Sequence, residues 1–173
     1  IGQAELARRA LAYLAPDFAA IHPVEAAQPE EDCLLFDFGF NSTVPEATWR
    51  VPSFSAHLEA MHHGPAYAEY ALWLKYLQWQ RPGGAWLLKT PQHLEHLDVL
   101  LQTFPKAKVL WTHRDPCVTA ASFSSMMAHA WGVFSDRVDP AEVAEHWIAK
   151  ARRMVERAMA VRRKVGSGFF RDV

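Results

Sequence analysis

Trp86-Leu87-Leu88-Lys89-Thr90-Pro91 and Val109-Leu110-Trp111-Thr112-His113-Arg114-Asp115-Pro116, with Leu94, Leu97, Leu100 and Leu101 at helical spacing between them, form the stretch that decides the fold. The runs 86–88 and 109–111 are continuously apolar, which suits strands buried on both faces of a parallel sheet. Pro105 ends the leucine pattern, so the whole reads as a strand, a helix and a second strand. That is a βαβ unit, and it predicts an α/β fold with a short parallel sheet.

Toward the C-terminus, Asp115-Pro116 starts a helix through Met127, and Asp139-Pro140-Ala141-Glu142 supplies a cap, an N1 proline and a capping-box acid for a longer one. Val143, Trp147, Ala151, Met154, Ala158 and Val161 form its predicted buried stripe, Gly166 ends it, and Phe169-Phe170-Arg171-Asp172-Val173 reads as a strand beginning. Toward the N-terminus the chain reads as helical. Leu6, Ala10 and Leu14 define an amphipathic helix; Pro29-Glu30-Glu31-Asp32 reads as a helix start with Leu34-Leu35-Phe36 inside it; Asn41 to Val51 reads as loop. A helix opens at Pro52-Ser53 and ends near Gly64, and Tyr67, Tyr70, Leu74 and Leu77 line the next one, stopped by Arg81-Pro82-Gly83-Gly84. Aromatic residues at that spacing read first as core.

At 173 residues, half of them hydrophobic, the chain suffices for one domain, 1–173, with a sizeable core. A net charge of −1 excludes a general pull toward nucleic acid or anionic membrane, so any anion site is local. No apolar run approaches the roughly 20 residues that span a bilayer. Cys33 and Cys117 match no metal or redox spacing and suit a reducing compartment, so the expected location is cytoplasmic. Nine histidines invite a metal reading, but His62-His63 and His93 with His96 lack a third ligand at a telling spacing and read as surface or cap residues.

Ligands of open parallel sheets bind outside the carboxyl ends of the strands, and both predicted ends carry a cation, Lys89 and Arg114. A guanidinium beside free helix amides holds a phosphate, and Ser122 on the following helix adds a hydroxyl. His113-Arg114-Asp115 resembles a kinase catalytic loop, but Ala120 stands where that loop needs Asn and no glycine-rich pattern accompanies it.

Leu88-Lys89-Thr90-Pro91-Gln92-His93-Leu94, Phe104-Pro105 and Thr112-His113-Arg114-Asp115-Pro116, with Ser122 beyond, resemble the nucleotide-binding core of the sulfotransferases that use 3′-phosphoadenosine 5′-phosphosulfate, and most closely a bacterial-type branch. His22-Pro23, Glu31-Asp32, Val51-Pro52, Ala66-Tyr67, Leu77-Gln78 and Trp86 fall in that branch's order, so the resemblance covers nearly the whole chain. It implies a three-layer, P-loop-like core with an α-helical N-terminal portion on the acceptor side. It implies that Arg114 and Ser122 bind the donor's 3′-phosphate and that Lys89 lies by the sulfate being transferred to an acceptor hydroxyl or amine, without metal. The histidine that cytosolic members keep two residues after the lysine is replaced by Pro91. That departure leaves the base open; some relatives use a glutamate from an upstream helix, and that resemblance points to Glu31, with Glu30 as its neighbour and His93 in reserve.

The family's donor-binding loop has no counterpart here, and no Walker-type glycine pattern occurs. In relatives that loop precedes the region matching Ile1 and a further strand follows the region matching Val173. The chain is therefore read as a fragment cut at both ends, and the competing expectation is a non-catalytic helical interaction module that keeps the motifs as packing. The sequence leaves the acceptor and the oligomeric state open.

Overall fold

The computed structural model describes residues 2–173; Ile1 lies outside the described residues. The N-terminal portion is helical: α1 (Gly2–Leu14), α2 (Phe18–Ile21), α3 (Leu34–Asp37), α4 (Val44–Thr48), α5 (Pro52–Ala60) and α6 (Gly64–Gln80). A 3₁₀ turn (Pro91–Glu95) and α7 (Leu97–Thr103) lead to β1 (Val109–Trp111), followed by α8 (Pro116–Phe134), α9 (Pro140–Val165) and β2 (Phe170–Asp172).

β1 and β2 pair in parallel with Val109 opposite Phe170, Leu110 opposite Arg171 and Trp111 opposite Asp172. The βαβ unit thus exists, but its crossover is α8 and α9, and its partner strand is the one read at 169–173. The expected strand at 86–88 does not form. Trp86 and Leu87 are 46% and 87% exposed, and only Leu88 reaches the core. A strand needs a ladder on at least one side, and among the described residues no strand runs beside this extended segment.

Three apolar clusters hold the molecule together. Phe36 of α3 packs on Ala66, Tyr67, Tyr70 and Leu74 of α6; Met127 and Trp131 of α8 pack on Val143 and Trp147 of α9; Leu97, Trp111 and Ala158 join α7, β1 and α9. Each large side chain buried this way contributes about 1.5–3 kcal/mol. The stripe read on α9 is the buried one at Val143, Trp147 and Ala158, and it contains one residue the periodicity passed over, Lys150, 2% exposed.

The Asp139 carboxylate accepts from the Ala141 amide at 2.9 Å and caps α9, but Glu142 does not complete a capping box because Arg50 draws it away at 2.5 Å. Leu6 and Leu14 of α1 face solvent at 69% and 60% exposure, so that stripe is not the packing face; the half-buried side is Glu5, Arg8 and Leu11, which leads to the buried Ala15. The helix expected at Pro29 begins only at Leu34, since 29–31 run as coil into a turn at 32–33. Within the expected loop 41–51, Pro45 near the start of α4 favours a short helix.

Candidate functional site

Leu88 is anchored in the α3–α6 cluster, and the chain leaves it extended through Lys89 to Thr90, whose hydroxyl accepts from the Gln92 amide at 3.3 Å and caps the 3₁₀ turn. The segment before α3 comes alongside: the Asp32 amide donates to the Lys89 carbonyl at 3.2 Å. This places Glu31 beside Lys89, and the Lys89 ammonium donates to Glu31 Oε1 in an ion pair spanning 58 residues of sequence. The Lys89 side chain remains 76% exposed and that of Glu31 25%, so a ligand can reach both. Glu30 instead faces His22 at 3.3 Å.

His93 is held differently. Its Nε2 lies 2.9 Å from Asp32 Oδ2 and its Nδ1 2.8 Å from the Tyr67 hydroxyl, with only 13% of the side chain exposed. Both ring nitrogens are engaged, which leaves neither free to receive a proton from a substrate. The Tyr70 hydroxyl donates to the same Asp32 oxygen at 2.7 Å, while Asp32 Oδ1 is buried without a partner. Burial alone would raise the Asp32 carboxyl, but His93 and the Tyr70 hydroxyl outweigh it and hold it below the usual range. Burial pushes both tyrosines far upward, so they stay protonated.

Asp32, Tyr67 and Tyr70 are not among the candidate site residues of the sequence, which places Asp32 in a helix start and reads the tyrosines as core. The two tyrosines sit three apart on one face of α6 and register as core, which their rings are; nothing in the periodicity shows that their hydroxyls reach inward to a carboxylate. The Cys33 thiol is pushed up to about 12, by burial first and then by Glu31, and is no nucleophile.

At the exit of β1, His113 is tied to Asp172 at 2.8 Å, and the Arg162 guanidinium grips both oxygens of Asp172 at 2.6 and 2.5 Å. Arg114 follows, exposed and, among the described residues, in no ion pair. Ser122 lies exposed on α8. One element of the sequence reading fails: the helix amides beside Arg114 are not free. Pro116 has no N–H, and the Asp115 carboxylate accepts from the amides of Cys117 at 2.8 Å and Val118 at 3.2 Å. The first turn of α8 therefore offers an anion no free amide at Cys117 or Val118.

The other histidines lie elsewhere. His63 and His96, read as surface or cap residues, are the N-cap residues of α6 and α7 but are only 5% and 8% exposed, with ring centroids 3.6 Å apart and the carbonyl of Leu58 2.8 Å from His63 Nε2. Among the described residues no group of three or more His, Cys, Asp or Glu side chains could hold a metal ion, and no helix is long and apolar enough to cross a membrane.

The family model described as "Sulfotransferase family" matches residues 2–173. No curated protein matches the sequence. Among solved structures, the crystal structure of a sulfotransferase from Mycobacterium tuberculosis H37Rv superposes with a TM-score of 0.80 at 29% identity, covering 95% of this chain and 47% of that one. A sulfotransferase from Mycobacterium avium superposes at 0.79 with 22% identity, over 93% of this chain and 45% of that one, a likeness of fold. The chain spans about half the length of the solved sulfotransferases it matches.

Proposed function

Because the chain belongs to the sulfotransferase family, we propose that it carries the transfer half of a site that moves a sulfuryl group from 3′-phosphoadenosine 5′-phosphosulfate to a hydroxyl or amine acceptor. The observation that carries this reading is the Glu31–Lys89 pair. An ion pair this exposed contributes only about 0–1 kcal/mol to stability, so folding alone gives little reason to assemble it from two distant segments. Its chemistry suits in-line transfer. Glu31 takes the acceptor's proton as the acceptor oxygen or nitrogen bonds to sulfur; the bond from sulfur to the donor's phosphate oxygen breaks; Lys89 neutralises the charge developing on that oxygen. Arg114 and Ser122 hold the 3′-phosphate, for which an exposed, unpaired guanidinium is suited by its fork of donors. His93 is not the base in this reading, since both of its nitrogens are taken. Cytoplasmic location and a free small-molecule or polymer hydroxyl as acceptor, with neither nucleic acid nor membrane as partner, belong to the same proposal; both cysteines are free thiols.

A second reading, a non-catalytic module that keeps the motifs as packing, is favoured by one observation: the α8 amides that would cradle a phosphate are already capped by Asp115. Calorimetric titration with 3′-phosphoadenosine 5′-phosphate, with ATP as comparator, separates the two. Saturable binding of the first in preference to ATP, weakened about 10- to 100-fold by Arg114→Ala as the loss of charge-assisted hydrogen bonds implies, supports the donor site. Absence of saturable binding to the folded chain overturns it in favour of the module, and preference for ATP would indicate a kinase relative.

A further inference from the structure

We propose that Asp32 and His93 are positioning residues for the transfer pair: their buried carboxylate–imidazole contact clamps the segment carrying Glu31 against the segment carrying Lys89 and so fixes the distance between the two reacting side chains. The proposal rests on the reading of Glu31 and Lys89 as that pair.

The clamp is built from neighbours of the reacting groups on both sides. Asp32 directly follows Glu31, and His93 lies one 3₁₀ turn beyond Lys89. The two segments meet through the Asp32 amide on the Lys89 carbonyl at 3.2 Å and through His93 Nε2 on Asp32 Oδ2 at 2.9 Å. Neither segment is regular structure that would hold itself: 29–31 is coil, and 85–90 is neither helix nor paired strand. Side-chain contacts therefore have to supply the rigidity that a strand pair would give elsewhere.

The clamp is in turn fixed to the core. Tyr67 and Tyr70 project from the buried face of α6, at 0% and 1% exposure. The ionised Asp32 carboxylate can only accept, so His93 Nε2 carries the hydrogen between them, and in a neutral ring Nδ1 then accepts from the Tyr67 hydroxyl; the Tyr70 hydroxyl donates to the same Asp32 oxygen. Gln92, 2% exposed, holds the other side of the turn by donating to the Asn41 carbonyl at 2.8 Å and accepting from the Thr43 amide at 3.1 Å. The 3₁₀ turn is thus held on two sides, and the exposed ends of the assembly are Glu31 and Lys89. A ring of buried hydrogen bonds supporting an exposed ion pair has the form of a support for reacting groups.

The test compares Asp32→Asn, His93→Gln, His93→Leu, Glu31→Gln and Lys89→Ala in two measurements. The first is steady-state sulfuryl transfer alongside calorimetric affinity for 3′-phosphoadenosine 5′-phosphate. Misplacing reacting groups by about 1 Å costs on the order of 10²-fold in rate, so Asp32→Asn and His93→Leu are expected to lower kcat by about that factor while leaving nucleotide affinity and the acceptor KM near wild type. His93→Gln, which keeps a donor for Asp32, is expected to retain most of the rate; its loss of all turnover would make His93 a base and overturn the proposal.

The second measurement needs no turnover: the rate at which an amine-acylating reagent modifies Lys89, read by mass spectrometry on protein shown to be folded by circular dichroism. Pairing with Glu31 competes with the reagent, so Glu31→Gln accelerates labelling, and Asp32→Asn is expected to accelerate it as much. Acceleration by Glu31→Gln alone overturns the clamp while leaving the pair intact. No acceleration by either removes the pair itself, and with it the reading on which the clamp rests.

Discussion

Lys150 of α9 and Glu46 of α4, 104 residues apart, form an ion pair with side chains 3% and 1% exposed. The same ammonium lies 3.8 Å from Glu95 Oε2 at the end of the 3₁₀ turn, and Arg153 and Arg157 reach the other Glu95 oxygen at 2.8 and 3.2 Å. Trp131 of α8 donates to the Glu46 carbonyl at 2.9 Å. The Lys150 charge therefore joins α9 to α4 and to the turn that carries His93, and the Glu46 carbonyl adds α8.

Lys150→Ala is expected to destabilise the protein by about 3–5 kcal/mol, because it leaves Glu46 buried without its counter-ion. Replacing both partners, as Lys150→Met with Glu46→Leu, is expected to cost much less, since two apolar side chains leave no unpaired charge. Urea unfolding of the three proteins decides it; a single-variant loss below about 1 kcal/mol would mean that water or a neighbour replaces the lysine. Burial would raise the Glu46 carboxyl, but the His146 imidazole, 3.6 Å from Glu46 Oε2, and the charge of Lys150 bring it down to about 2 from 4.5. Its contribution is therefore complete above 4.5 and lost as pH falls toward about 2.

Gly166 ends α9 with φ 80 and ψ 172, a region open in practice to glycine alone, and its amide donates to the Arg162 carbonyl at 3.0 Å. No heavy atom lies within 4 Å of a Cβ placed there. Gly166→Ala is therefore a test of backbone strain alone and is expected to cost about 1–3 kcal/mol. Gly168→Ala, where a Cβ also meets nothing within 4 Å and no left-handed φ is required, is the control and is expected to be near neutral. Equal melting temperatures for the two variants would refute the assignment.

Much of this fold was legible because local chemistry decided it. Asp115 and Asp139 before prolines set the starts of α8 and α9, and Gly166 set the end of α9. The run 86–88 misled for a physical reason: apolar character marks a segment able to enter a sheet, but a strand also needs a neighbour, and Trp86 and Leu87 have none. The motifs marked Lys89, and the resemblance to relatives with an upstream glutamate marked Glu31, yet their meeting depends on contacts 58 residues apart that no window of sequence contains. Lys150 shows the same limit, since a lysine within an apolar stripe reads as an interruption until the carboxylates of Glu46 and Glu95 appear around it.

Acid is expected to weaken the protein well before Glu46 titrates, through the stacked pair His63 and His96. The His96 imidazole is pushed down to about 3, by burial first and then by His63, Arg157 and Lys150, and His63 is lowered chiefly by burial. Both shifts are depressions, so the unfolded chain takes up protons near the ordinary histidine value of 6.5 while the folded protein resists them. Stability is then full above 6.5 and falls as pH drops toward about 3, by about 1.4 kcal/mol per pH unit for each site that stays neutral. Two neutral rings 3.6 Å apart pack well, and two charged ones would repel in the same space. Urea midpoints measured from about pH 7.5 to about pH 5 should therefore decline for the wild type, and His96→Phe, which keeps a ring against His63 and removes one titrating group, should decline less steeply. A midpoint that stays constant across that range would show that the pair is protonated, or open to water, in the folded state.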